Sequence, residues 1–358
     1  MRTGFATLPL HGGRAPRWLF DRMVRLAREI LGHLVAEHGP EAVLERLADP
    51  FWFQALGCVL GFDWHSSGVT TTTCGALKEA VRGAEGDFGL WVCGGKGAVS
   101  RRTPAEIEQA CDRLGRDPLD LTRASRLSAK VDSAAVQDGY QLYHHGFFFT
   151  ASGRWAVVQQ GMCDADATAR RYHWLGDAAT RFTVEPHAAV CCDRRAPTLN
   201  LVAGEGEAAR RAMAAVAARP EPEVERLLSR LPELRLPRRH RVSPADLDPR
   251  HLRRVLLRTY ERAPADFQAL LATPGVGAKG LRALALVAEL IHGTPASTRD
   301  PARFSFAHGG KDGTPYPVDR EVYDHTIAAL RAALDRARVD RSERRHALRR
   351  LARFAAPA

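Results

Sequence analysis

The sequence lacks any run of 18 apolar residues, which excludes a transmembrane helix. Its start, MRTGFATLPLHGGRAPRWLF, lacks the apolar core of a secretory signal, so a cytosolic protein is expected, associated with the nucleoid when bound to DNA. It lacks a CxxC pair, and its seven cysteines are odd in number, which argues against a disulfide framework. It is also poor in lysine. Of 52 basic residues only Lys78, Lys96, Lys130, Lys279 and Lys311 are lysines. This bias, with the high alanine content, fits a GC-rich genome, and it makes a lysine at a motif position informative. What is abundant is positive charge: +11 overall and a pI near 9.7. That balance favours a polyanionic partner. With 45% hydrophobic and 26% charged residues over 358 positions, the chain is long enough for two or three folded domains.

Residues 17–48 carry Leu19, Met23, Leu26, Ile30 and Leu34 at helical spacing, broken at Gly39-Pro40. Asp49-Pro50 opens a strongly apolar helix, FWFQALGCVLGF. The polar stretch WHSSGVTTTTCG reads as a loop and ALKEAV as a further helix. From residue 86 the texture changes. GDFGLWVCGGKGAVS reads as strand and turn, Thr103-Pro104-Ala105-Glu106 as a capping box opening a helix to Leu114. YHHGFFFTASGRWAVVQQGM reads as two strands joined at Ser152-Gly153, with a shorter strand pair around RFTVEPHAAVCCD. Helical character returns at GEAARRAMAAVAA, followed by a proline-rich basic linker over 219–249 and helices to the end. The expected organisation is an N-terminal helical segment over 1–85, an α+β domain with antiparallel strands over 86–218, and a linker with a helical domain over 219–358.

The informative stretch is Leu270–Ile291, LLATPGVGAKGLRALALVAELI. Pro274-Gly275-Val276-Gly277 makes a tight turn, with glycines at positions that permit unusual backbone angles. Before the turn, Leu256, Leu257, Tyr260, Phe267, Leu270 and Leu271 supply inner faces; after it, Leu281, Leu284, Ala285, Ala288 and Leu290 do. Helix, glycine-rich turn, helix presents backbone N–H groups where a phosphate binds without base readout.

This segment resembles the helix-hairpin-helix motif of DNA-repair proteins, and more narrowly the glycosylase superfamily that pairs it with a Gly/Pro-rich loop and an aspartate. Endonuclease-III-like members carry LPGVGxKT, where this chain has Thr273-Pro274-Gly275-Val276-Gly277-Ala278-Lys279-Gly280. HGGKDGTPYPVDREVYDHTIAAL resembles the second half of the signature, with Asp319 at the catalytic position. The chain departs from the pattern in the step of 40 positions from Lys279 to Asp319 and in having no cysteine after Cys192 for an iron–sulfur cluster. Direct resemblance covers residues 270–325. The whole chain is also similar to a prokaryotic family of unknown function defined around GFDWHSSGVTTT and LYHHGFFFT, a likeness that implies no activity.

The resemblance implies a mainly α fold with an inserted α+β domain: a two-lobe helix-hairpin-helix domain, discontinuous, drawing helices from Phe51–Val81. It implies a DNA glycosylase with AP lyase activity. Lys279 would attack C1′ of a flipped, damaged or modified nucleotide, and Asp319 would stabilise the developing charge. Gly275, Val276, Gly277, Ala278 and Gly280 would hold the duplex, with Lys311, Trp64 and His65 as further DNA contacts. No cofactor or metal is expected. Other readings stay open: Lys279 as a phosphate contact and Asp319 as a helix cap in a non-catalytic binding module, or a nuclease in the middle domain. His144, His145, His173 and His187 with Cys191-Cys192 invite a metal reading, but their spacing fits no zinc template. Gly94-Gly95-Lys96-Gly97 lacks the spacing of a phosphate-binding loop. Phe51, Trp52 and Phe53 read as core, and the arginines of RARVDRSERRHALRRLARF as phosphate contacts or a solvated face.

Overall fold

The computed structural model describes residues 15–62, 67–165, 167–192, 195–218, 249–302 and 320–355. At its centre lies an antiparallel sheet of five strands: β1 (Leu90–Lys96), β3 (Gln141–Thr150), β4 (Trp155–Cys163), β5 (Thr168–Gly176) and β6 (Ala189–Cys191), hydrogen-bonded in the order β1-β3-β4-β5-β6. A short pair, β2 (Val136–Gln137) with β7 (Leu199–Asn200), stands beside it. The long strands are buried along nearly their whole length, so they read as continuous apolar runs, not as alternation.

Each face of the sheet carries its own helical layer. Leu90, Phe148, Ala156 and Val158 face α1 (Arg17–His38), α2 (Pro40–Ala48), α3 (Pro50–Leu60), α4 (Gly68–Val81) and the one-turn α5 (Glu85–Phe88). The opposite face, with Trp91, Phe147, Phe149, Val157 and Trp174, is covered by α6 (Thr103–Leu114), α7 (Leu119–Lys130), α8 (Glu207–Ala218), α9 (Pro249–Arg262), α10 (Phe267–Ala272) and α11 (Ala278–His292). The last helices, α12 (Arg320–Arg336) and α13 (Arg341–Ala355), return to the first layer, where Leu330, Leu334 and Leu351 join the core of α1–α4. The architecture is thus helical with a buried antiparallel sheet in the middle, mixed α and β. None of the described helices is long and apolar enough to cross a membrane.

Local sequence explains most boundaries. Asp49 accepts from the backbone N–H of Phe51 and Trp52, which with Pro50 at the first position fixes the start of α3. Trp52 and Phe53 are core, as their helical spacing suggests. Arg350, expected on a solvated or DNA-facing surface, instead donates from Nε and Nη2 to the Val59 carbonyl at the C-terminus of α3.

The structure corrects several local expectations. Thr70–Thr73 are helical, not loop, because Thr70 is buried beside Arg171 of β5 and Thr73 beside Gly57 of α3, where packing outweighs the weak helix preference of β-branched residues. The capping box at Thr103 does not form. Thr103 donates to the Ser100 carbonyl, and Glu106 is drawn away by Lys78 Nζ at 2.6 Å and by Gly94 N–H. Leu257, Tyr260 and Leu290, assigned to inner faces, are exposed.

Candidate functional site

A tight turn over 273–277 joins α10 to α11. Thr273 ends α10, its hydroxyl donating to the Ala269 carbonyl, and its own carbonyl accepts from Val276 N–H to close the turn. Gly275 has φ +84°, in the left-handed region that a side chain disfavours. Val276 is buried and anchors the turn, while Pro274 and Gly275 face solvent. Gly277 precedes α11 without a side-chain cap, so the positive end of a 15-residue helix dipole is left to other partners. Lys279, at the second position of α11, is exposed. Gly280 is buried because Val255 of α9 packs where its side chain would be: an added Cβ would lie 3.3 Å from Val255 Cγ1.

Of the residues the motif nominates, Gly275 and Lys279 lie on the surface and Gly277 and Ala278 are half-buried; Val276 and Gly280 seat the hairpin from within. Arg258 of α9, which the motif does not nominate, adds a second cation. A Cβ built on Gly275 would lie 2.2 Å from Arg258 Nη1, so the guanidinium stands directly over the turn. Gly275→Ala should therefore both strain the backbone by about 1–2 kcal/mol and displace Arg258, a loss readable as a lower urea midpoint with weaker DNA binding.

The hairpin is bolted to the sheet-bearing body. After α7 the chain widens into a π turn, Val131–Ala135, a local departure that in many proteins re-aims side chains at a working site. Lys130, the last residue of α7, reaches the Thr273 carbonyl with Nζ at 3.5 Å, and burial lowers its amine below the ordinary lysine range. Gln137 Nε2 donates both to Ala134 O at 3.0 Å and to Ala278 O at 2.8 Å, tying the turn to the first residue of α11.

The same π turn positions Asp132. This fully buried carboxylate accepts from Gln159 Nε2 at 2.6 Å and Trp174 Nε1 at 2.9 Å on one oxygen and bonds His187 Nε2 at 2.5 Å on the other. The histidine packs edge-on against Trp174, with ring centroids 4.5 Å apart. It lines a small cleft of about 20 Å³, shared with Glu185, Asn200, Val202 and Pro301. Glu185 holds a positive φ of 45°, an uncommon angle for a side-chain-bearing residue. A carboxylate orienting a histidine at a cleft is an arrangement suited to proton transfer. Its partners are 55 residues apart in sequence, which is why no local motif reveals it.

Two polar rows cross the sheet back to back. On the hairpin side His145 is fully engaged, with Ser125 Oγ at 2.9 Å and Gln159 at 2.8 Å. On the other side His144 pairs in register with Lys96 and Gln160, and Gln160 with Arg171. Neither ring nitrogen of His144 has a hydrogen-bond partner among the described residues, and burial pushes its pKa down to about 3. The cysteines weighed as metal ligands separate. Cys192 Sγ lies 3.2 Å from Tyr140 Oη in the core of the hairpin layer, while Cys191 pairs with Arg171 in the sheet.

Trp64, His65, Lys311 and Asp319 lie outside the described residues. Helix α12, which follows Asp319, packs in the first layer with α1 and α3, whereas Lys279 begins a helix of the second. The model of a family described as "Protein of unknown function (DUF763)" matches residues 4–318, so the chain belongs to that family. No curated protein and no solved structure matches it.

Proposed function

We propose that this member of a family without an assigned activity acts on DNA, gripping the phosphate backbone through the hairpin 273–279, and that it excises a damaged or modified base as a glycosylase with lyase activity. One observation carries the DNA-binding part: a helix N-terminus without a side-chain cap, half-buried at Gly277 and Ala278, beside the exposed Gly275, Lys279 and Arg258. Backbone N–H groups, a helix dipole and two cations converge there, a combination that holds a phosphate irrespective of base. The net charge of +11 adds long-range attraction.

The excision chemistry rests on the match of Lys279 and Asp319 to the glycosylase hairpin and aspartate. A lysine amine bonds to C1′ as the glycosidic bond breaks and the base leaves with its electron pair and a proton. Opening of the sugar gives an imine; loss of a C2′ proton then expels the 3′ phosphate. A binding module without chemistry is favoured by one feature, the placement of α11 and α12 in different layers.

Duplex DNA with a single abasic site, incubated with the protein in EDTA and then borohydride, separates these readings. The glycosylase reading expects a covalent adduct; the binding module expects none while the duplex still binds. Cleavage of intact duplex only after a divalent cation is restored would point to a nuclease instead. In the same assay without borohydride, Lys279→Ala should weaken binding to all sequences alike. It should lower the slope of log affinity against log salt by about 1, the signature of one lost phosphate contact. An unchanged slope would remove Lys279 from the interface.

A further inference from the structure

One face of α7 is basic, and it ends at the turn. Arg123, Arg126 and Lys130 follow one another at three- and four-residue steps, so they project within about 60° of each other around the helix. The opposite face, with Leu121, Ala124 and Leu127, is buried in the core of the second layer. Arg123 and Arg126 are exposed; Lys130 is half-buried at the C-terminal end of the row, where its Nζ lies 3.5 Å from the Thr273 carbonyl. Helix α7 also packs against α10, which leads into the turn. The row therefore starts at Thr273 and runs away from it for about 10 Å, at a rise of about 1.5 Å per residue. Little on the protein neutralises it. Arg123 makes no ion pair with a described residue. Arg126 Nη2 lies 3.9 Å from Glu108 Oε1 of α6, a long pair between exposed side chains that holds the arginine weakly. Asp120 stands at the far end, in the first turn of α7, where an acid complements the helix dipole.

Resting on the reading that the turn over 273–277 holds a DNA phosphate, we infer that this face of α7 continues the same surface, and that its partner is duplex DNA whose backbone runs from the turn along α7. Arg258 and Lys279 meet the backbone at the turn, and Arg126 and Arg123 meet it further on. Each strand of a duplex carries one phosphate per about 3.4 Å of its axis, so about 10 Å of helix faces roughly three phosphates of one strand. Guanidinium suits the task, since its planar fork can give two N–H groups to one phosphate. Lys130 is a positioning residue. Its bond to the Thr273 carbonyl keeps α7 and the turn in one register, so a phosphate seated at one end sets which phosphates reach the other. All these contacts are to the backbone, so α7 adds affinity without base preference.

The test titrates the full chain with a labelled duplex of mixed sequence across a range of salt concentrations. Replacing both arginines (Arg123→Ala with Arg126→Ala) should lower the slope of log affinity against log salt by about 2, one per lost phosphate contact. Alanine is the best helix former and both positions are exposed, so the urea midpoint should not move. Arg123→Lys with Arg126→Lys keeps both charges and should keep the wild-type slope. A control pair, Arg17→Ala with Arg331→Ala, removes the same charge from exposed positions of α1 and α12 in the other layer and should leave the slope unchanged. An unchanged slope in the Arg123 and Arg126 alanine pair, while Lys279→Ala lowers its own by about 1, overturns the α7 surface and leaves the reading of the turn intact. An equal fall in the control pair also overturns it, because net charge and not this face would then account for the loss. No duplex binding by the wild-type chain overturns the reading of the turn and the α7 surface together.

Discussion

Asp132→Ala should lower the folding free energy by about 3–5 kcal/mol, the range for removing one charged partner from a buried network. The carboxylate is fully buried and holds Gln159, Trp174 and His187 together. Deleting it leaves two donors unsatisfied in the core and His187 without its orienting partner, each a cost on the order of 1–3 kcal/mol. The loss should propagate, because Gln159 also bonds His145 and the π turn carrying Asp132 braces the hairpin through Gln137. Urea unfolding of the variant should show a lowered midpoint. Asp132→Asn tests the charge separately. An amide can accept from the same donors on one side but presents its own N–H₂ on the other, so an intermediate loss is expected. A change below about 1 kcal/mol in the alanine variant would mean that the network contributes little to holding the fold.

A comparably large effect is expected from acid. His144, His145 and His173 are buried, and in each case burial is the first reason that the neutral form is favoured. For His144 neighbouring His145 and Lys96 reinforce the shift, to about 3; for His173 Arg171 does the same. For His145, the bond to Gln159 and the charge of Asp132 oppose it without reversing it. The unfolded chain takes up a proton on each near pH 6.5 while the folded chain resists. Stability is therefore fully present above pH 6.5 and falls as the pH drops from 6.5 towards the folded values. Each histidine contributes a slope of up to about 1.4 kcal/mol per pH unit in that window. Urea midpoints measured between pH 7.5 and 5 should fall steeply, and His144→Leu, which removes a ring without hydrogen-bond partners among the described residues, should make the decline shallower. Equal midpoints at pH 7 and 5 would show that these rings are not held neutral inside the fold.

Helices α1–α3 of the first layer were legible from apolar spacing and from the Asp49-Pro50 and Gly39-Pro40 punctuation, because those signals are local, whereas the start of α4 was hidden by its polar composition. The β3–β4 pair was legible from its aromatic run and the Ser152-Gly153 turn. The three-layer arrangement was not. It depends on which residues of a nearly all-buried strand face which layer, as with Phe147 and Phe149 on one side and Phe148 on the other. A strand buried on both faces carries no alternation to announce this. The tight turn at 274–277 was legible because glycine and proline have fixed backbone meanings, and Gly275 takes the angle its identity suggests. The reach of Arg258, Lys130 and Gln137 into it was not, since each comes from another element. Nor was the pairing of Asp132 with His187, which requires the sheet to be assembled first.

The route of the chain through the two layers bears on how the protein is made. Arg22 and Arg25 of α1 both bond Glu343 of α13, and Arg350 closes the end of α3, across separations of about 300 residues. During synthesis the first helices emerge long before the last two, and although they pack on one another, the faces that Leu330, Leu334 and Leu351 later cover stay open. That layer must wait, partly open, until the ribosome releases residues 320–355. The opposite layer, whose described helices all precede residue 293, can close earlier. Released chains truncated near residue 300 should therefore protect α6–α11 from protease while α1–α3 remain more readily cleaved.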